Sequence, residues 1–133
     1  MDFRPVYFKR YVDDCFVVFK HGSHADKFLD YLNIQHSKMK FTKETEVNRT
    51  ISLLDVQIKR TDTVFETSVY RKDTFTGLDT SFFSFIPQAI KKAIVMSALF
   101  RSFRLSSNYK LFDLEVKFLT SFFCANGFPK QLV

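Results

Sequence analysis

Hydrophobic periodicity changes near Pro87, and this change constrains the fold of the chain more than any other feature of its sequence. Before Pro87, short runs of β-branched and aromatic residues alternate with polar turns, as is typical of β-strands. After Pro87, apolar residues recur at every third or fourth position, which is the spacing of amphipathic helices. The sequence therefore predicts an α+β chain in which an antiparallel sheet of four or five strands, with one packed helix, precedes two antiparallel helices.

The first half of the chain is predicted to hold two hairpins and a helix. Residues 5–19 form the first hairpin, and residues 25–35 carry one apolar stripe at helical spacing. A ragged alternation over residues 39–47 predicts a charged strand at a sheet edge. Residues 51–60 and 64–70 are predicted to be the two strands of the second hairpin.

The second half is predicted to be a pair of helices. Pro87 is well placed in the first turn of a helix that runs to residue 105. Ser107 or Asn108 is predicted to cap a second helix that Gly127 ends. The composition shifts in the stretch before Pro87, and we therefore predict two domains, over residues 1–80 and 81–133.

The composition is that of a folded, basic protein. Of 133 residues, 46% are hydrophobic and 26% are charged, so disorder of the whole chain is not expected. The formal net charge of +6 favours a polyanionic partner, although many basic proteins do not bind nucleic acid.

The two cysteines and the lengths of the apolar runs indicate the cellular compartment of the protein. Cys15 and Cys124 lie in apolar runs, and we predict that both are reduced core residues. The chain opens with no signal segment, and no apolar run approaches the ~18 residues of a membrane span. We expect an intracellular protein, nuclear or cytoplasmic, without a membrane partner.

Two adjacent acids, Asp13 and Asp14, interrupt the first hairpin between its two β-prone runs. Carboxylates held at a hairpin tip suit metal-assisted phosphoryl transfer, which needs hard oxygen ligands for divalent cations. A solvated surface turn is the other interpretation of the pair taken alone. Asp55 is predicted to lie inside an apolar strand, where it would need a partner or a place near the active face.

Five segments carry recognisable motifs in a fixed order: Arg-Tyr-Val-Asp-Asp-Cys-Phe-Val at 10–17, Leu-Leu-Asp-Val at 53–56, Ser-Val-Tyr-Arg-Lys-Asp-Thr-Phe-Thr-Gly at 68–77, Ser-Phe-Ile-Pro at 84–87 and Asn-Gly-Phe-Pro at 126–129. Together they resemble segments of a reverse transcriptase, most closely one from the Penelope-like retroelements. Asp73 and Ile86 depart from that family, which usually has proline and histidine there.

The resemblance implies an RNA-directed DNA polymerase with two-metal chemistry. Asp13 and Asp14 would be catalytic ligands of Mg²⁺. Tyr11 would pack beside the primer terminus, unless it is a half-buried strand aromatic. Arg71 and Lys72 would contact the nucleic-acid backbone where palm meets thumb, unless they are a solvated pair.

The same resemblance implies that the chain is a fragment. Residues 1–80 would be the C-terminal part of the palm, and residues 81–133 the helical thumb. The fingers and the upstream palm, which carries a third catalytic aspartate, would be missing partners. The isolated chain is therefore expected to be inactive, although its template-primer duplex would remain a partner.

A non-catalytic, helix-turn-helix-like nucleic-acid-binding module is the alternative function. The second predicted helix has little net charge, so we expect contacts to the phosphate backbone rather than base readout. A third possibility is a protein-interaction remnant, on apolar surface that loss of the upstream palm would expose. In the nucleic-acid-binding module, the phosphate contacts are expected from a basic side of the helix that follows Pro87. This side is formed by Lys91, Lys92, Arg101 and Arg104.

Overall fold

The structure is a computed structural model that describes residues 3–133, and it confirms the α+β class. Two compact units divide after Val47, into Met1–Val47 and Asn48–Val133. The domain boundary at 80/81 stays a prediction. In chain order the elements are β1 (Tyr7–Tyr11), β2 (Asp14–Val18), α1 (Ser23–Ile34), β3 (Thr50–Leu53), β4 (Val56–Arg60), β5 (Phe65–Val69), α2 (Gln88–Leu105), α3 (Tyr109–Ala125) and a closing 3-10 turn (Lys130–Leu132).

The first unit begins with the predicted hairpin. β1 pairs with β2 in antiparallel register, from Tyr7 opposite Val18 to Tyr11 opposite Asp14. Its two-residue loop begins at Val12, whose φ of 53° supplies the left-handed backbone that such tight loops need. The Nε of Arg10 donates a 2.6 Å hydrogen bond to the carbonyl of Val12, which stabilises the loop.

Helix α1 packs on this hairpin through aromatic rings. The ring of Phe28 meets Phe8 and Phe19 at centroid distances of 6.4 and 5.5 Å. The helix begins at Ser23, directly after Gly22, and no side chain caps its first turn. Serine is favoured at the capping position before a helix, but Ser23 is here the first helical residue.

The predicted strand over residues 39–47 does not form, and that prediction is wrong. The side chain of Asn33 donates to the carbonyl of Phe41 at 3.1 Å and accepts from its amide at 2.6 Å. At Phe41, the backbone groups that a strand would offer to a neighbour are thus bound by a helix side chain. The described strands form two sheets, of two and three strands, instead of the single predicted sheet.

The second unit contains the three-stranded sheet, an antiparallel meander in the order β3-β4-β5. A turn at Leu54 and Asp55 divides the single strand that the sequence predicts over residues 51–60. Leu54 has a φ of 53°, which is unfavourable for leucine, and the turn contains no glycine or proline to mark it. Asp55 is exposed in this turn, so its predicted place inside an apolar strand is wrong.

The two predicted helices of the second unit are confirmed nearly to the residue. α2 begins directly after Pro87, and α3 begins after Asn108, whose Oδ1 accepts from the amide of Leu111 at 2.9 Å. This hydrogen bond satisfies one of the amides that a helix start leaves unpaired. The described core consists of Val95, Leu119, Phe123 and Phe128, so it lies between α2, α3 and the segment that follows α3.

Hydrogen bonds of the Asn126 side chain link the end of α3 to the segment before α2. Its side-chain amide donates to the carbonyls of Gly77 and Phe122 at 3.0 and 2.9 Å, and its Oδ1 accepts from the amide of Asp79. Gly127 follows with a φ of 85°, and a Cβ there would lie 2.7 Å from Cε2 of Phe83. This corner therefore requires glycine.

The cysteine prediction is partly wrong. Cys15 is half-buried, whereas Cys124 is exposed, and both are free thiols. None of the helices over residues 3–133 combines the length and the hydrophobicity of a membrane-spanning segment.

Candidate nucleic-acid interface

The first predicted site is the tip of the β1–β2 hairpin. Asp13 lies in the two-residue turn, and Asp14 is the first residue of β2, opposite Tyr11. All three residues are exposed, so Tyr11 is not the half-buried strand aromatic that was one of its two interpretations. The hairpin thus brings the two predicted carboxylates together at an accessible surface.

The donor set at this tip does not fit a two-metal site. Among residues 3–133 there is no group of three or more His, Cys, Asp or Glu side chains that could hold a metal ion. Two neighbouring carboxylates do not enclose two divalent cations, which need further hard ligands. We therefore derive no catalytic step for Asp13 and Asp14.

Arg71 lies in a structural ion pair. It is the first of the two residues that were predicted to contact the nucleic-acid backbone. Its guanidinium binds the carboxylate of Glu115 through both terminal nitrogens, one of them at 3.0 Å. The guanidinium carbon also lies 3.9 Å from the ring centroid of Phe118. Only 25% of the Arg71 side chain and 10% of the Glu115 side chain are exposed. Arg71 thus joins the chain after β5 to α3, while Lys72 is exposed.

Lys91 does not lie on the basic side of α2, and that prediction is wrong. It is 6% exposed and sits on the inner side of the helix with Val95 and Ser102. Its Nζ donates a 2.9 Å hydrogen bond to the carbonyl of Ser84 and lies 4.9 Å from the ring centroid of Phe82. The long side chain carries the ammonium to polar partners at the edge of the core.

The other three predicted bases of α2 are exposed. Arg101 forms a 2.6 Å ion pair with Asp55, and both side chains are largely in solvent. Arg104 lies 5.7 Å from the ring centroid of Phe100, and Lys92 is exposed near the start of the helix. Three cations therefore remain available along α2.

The positive charge of the chain is concentrated on this helix. Residues 48–133 carry twelve Lys or Arg and seven Asp or Glu, a net charge of +5. The sequence of α2 has four bases and no acid, whereas that of α3 has two bases and two acids. Lys117 and Asp113 of α3 also pair with each other at 2.6 Å. An anionic ligand would therefore be attracted to α2 rather than to α3.

The turn between the two helices is docked on β5. The amide of Ser107 donates to the carbonyl of Thr67 at 2.9 Å, and the amide of Thr67 donates back to Oγ of Ser107 at 3.0 Å. Asn108 also contacts the carboxylate of Glu66, 42 positions away. No local sequence pattern predicts these contacts, because they join residues distant along the chain. The contact between Asn108 and Glu66 places the Glu66 carboxylate beside the first turn of α3.

A groove of about 560 Å³ is lined by residues of α2, α3 and the segment after β5, and it was not predicted from the sequence. The rings of Phe118 and Phe122 line it, stacked at an interplanar angle of 14° with their centroids 6.0 Å apart. Arg71 and Arg101 contribute to its lining, but each is already paired with a carboxylate. The groove is mainly apolar, and its two cations differ: Arg71 belongs to a nearly buried ion pair, whereas the pair of Arg101 is exposed.

Comparison with known families identifies one region of similarity. Residues 80–133 match the model of the animal helix-turn-helix domain, which covers α2, the docked turn and α3. This match spans less than half of the chain. No curated protein and no solved structure matches the chain. The two-helix segment is thus similar to a helix-turn-helix domain.

Proposed function

We propose that the second unit binds nucleic acid through phosphate contacts from α2. The observation that carries this proposal is the match of residues 80–133 to the animal helix-turn-helix domain. Helix-turn-helix modules are a common means of binding duplex nucleic acid. The concentration of basic residues on α2 supports α2 as the contacting helix.

Sequence-specific reading by α3 is not part of the proposal. A recognition helix contacts base edges with its N-terminal residues. In this chain the start of α3 is held against β5, beside Glu66, and α3 has no net charge. Repulsion between that carboxylate and phosphates disfavours insertion of α3 into a groove.

Lys92, Arg101 and Arg104 are the proposed phosphate contacts. Binding of this kind is independent of sequence and weakens as the salt concentration rises, because counterions are released. Arg101 is available despite its ion pair with Asp55, since exposed pairs contribute only ~0–1 kcal/mol.

Replacing Lys92, Arg101 and Arg104 together by alanine is expected to weaken duplex binding and to lower the slope of log K against log salt by about 2 to 3. The measurement is fluorescence anisotropy of a labelled duplex between about 50 and 200 mM salt. A matched control replaces Lys59, Lys110 and Lys130, which lie outside α2. Equal slopes for both triple variants would contradict the proposed role of α2.

We also propose that the chain derives from a reverse transcriptase of the Penelope-like retroelements. The observation that favours this origin is the hairpin that presents Asp13 and Asp14 at an exposed tip. In that proposal Mg²⁺ would need a further carboxylate from outside this chain. The isolated chain is accordingly expected not to act as a polymerase.

A further inference from the structure

Helix α2 is apolar on both its inner and its outer side. The inner side packs on α3 and β5, around Val95. The outer side carries Met96, Phe100 and Phe103, which are 64%, 63% and 56% exposed. We call these three residues the outer stripe. An apolar row along a helix is normally covered by another element, and the second unit places none over the outer stripe.

The outer stripe has the shape that a second helix requires. Its members are spaced by four and three residues, so they lie in one row along the helix. Large side chains of this kind cover about 150 to 250 Å² each when buried, so the exposed part amounts to roughly 300 to 400 Å². Patches of ~300–600 Å² on a protein surface often serve in binding.

Charge identifies the kind of partner. Lys92 and Arg104 flank the outer stripe twelve residues apart, which is about 18 Å along a helix. The sequence of α2 contains no acid that could neutralise them. A second copy of this chain is disfavoured, because antiparallel pairing would bring Lys92 against Arg104 and each chain carries a net charge of +6.

A nucleic acid satisfies the charges but not the apolar surface. Phosphates that contact Lys92 and Arg104 would leave Met96, Phe100 and Phe103 against a polar backbone. An amphipathic helix with acidic flanks would satisfy both, because its apolar row covers the stripe while its carboxylates meet the two bases. The partner is therefore expected to be a protein helix.

We propose that the outer stripe docks an acidic amphipathic helix of a partner protein. The docked helix shares Lys92 and Arg104 with the proposed phosphate contacts, so it competes with duplex for this side of α2. Docking itself does not depend on the proposed nucleic-acid function. Only the competition between the two ligands does.

The test uses the full chain and a labelled synthetic peptide of 18 residues, the length of α2. Its leucines recur at every third or fourth position, and glutamates flank them. One control peptide carries lysine for every glutamate, and the other has the same composition with the spacing scrambled. Fluorescence anisotropy is expected to show at least about tenfold tighter binding of the acidic amphipathic peptide than of either control, a difference of ~1.4 kcal/mol.

Two double variants separate the ligands. Met96→Ser with Phe100→Ser is expected to weaken peptide binding about tenfold or more and to leave duplex binding unchanged. Lys92→Ala with Arg104→Ala is expected to weaken both. Phe85→Ser, at a fully exposed ring outside α2, is the matched control and is expected to change neither. Circular dichroism verifies that each variant is folded.

Three results would overturn the docking proposal. The first is equal binding of the scrambled peptide or no binding of the acidic one. The second is a loss of duplex affinity in the Met96→Ser, Phe100→Ser variant, which would assign the stripe to nucleic acid. The third is a dimer of the unchanged chain in analytical ultracentrifugation, together with a monomeric Met96→Ser, Phe100→Ser variant. That result would assign the stripe to a second copy. Peptide binding without any duplex binding would support docking and refute the nucleic-acid proposal.

Discussion

Phe123→Ala is expected to lower the free energy of unfolding of the second unit by about 3 to 5 kcal/mol. Phe123 is 1% exposed, and its ring lies 5.2 Å from the rings of both Phe122 and Phe128. It is one of two phenylalanines among the four buried apolar residues of the described chain, so its removal leaves a large cavity in the core. Urea unfolding of the full chain, followed by helical circular dichroism, measures this loss.

A fully exposed phenylalanine provides the control. Phe85→Ala removes the same atoms from a ring in solvent, and the expected change is within about 0.5 kcal/mol. Similar losses for Phe85→Ala and Phe123→Ala would show that the core does not lie between α2 and α3.

Arg71→Met is expected to cost about 2 to 4 kcal/mol, because it leaves the nearly buried Glu115 carboxylate without its cation. It also removes the guanidinium that covers the Phe118 ring. The double variant Arg71→Met, Glu115→Leu is expected to cost much less than the two single changes added together, since no unpaired charge remains. A double-mutant cycle by urea unfolding measures the difference.

The exposed pair of Asp113 and Lys117 on α3 is the matched control for this cycle. Pairs four residues apart on a solvated helix face contribute ~0.2–0.5 kcal/mol, so its coupling is expected to be small. A coupling between Arg71 and Glu115 no larger than this control would contradict the structural role of Arg71.

Local signals in the sequence were sufficient for the helices and the first hairpin. Pro87, Asn108 and Gly127 each have a conformational or capping preference that fixes an end of α2 or α3. The acids at the hairpin tip interrupt two β-prone runs, which is also a local pattern. The α+β class followed from these elements.

The failed strand predictions depended on information that is not local. The turn at Leu54 requires a left-handed backbone at a residue that seldom adopts it, so turn statistics give no warning. The loop over residues 39–47 is fixed by a side chain of α1, Asn33, eight positions from its partner Phe41. Neither effect has a signature in hydrophobic periodicity.

The basic side of α2 was mispredicted because apolar residues lie on two sides of this helix, and periodicity does not show which of them faces the core. Lys91 was predicted to lie outside, whereas the core forms on its side of the helix, around Val95. The partner of Arg71 was also beyond prediction, since 44 positions separate it from Glu115. The charge difference between α2 and α3, in contrast, follows directly from their sequences.

Titration of the full chain with a short DNA duplex, followed by NMR of the backbone amides, shows whether α2 is the helix that contacts nucleic acid. We expect chemical-shift changes along α2 from Lys92 to Arg104 that disappear as salt is added, because exposed charges are then screened. We expect no comparable changes over the first turns of α3, from Tyr109 to Lys117. Changes concentrated on that part of α3, or changes that persist at high salt, would contradict phosphate binding by α2.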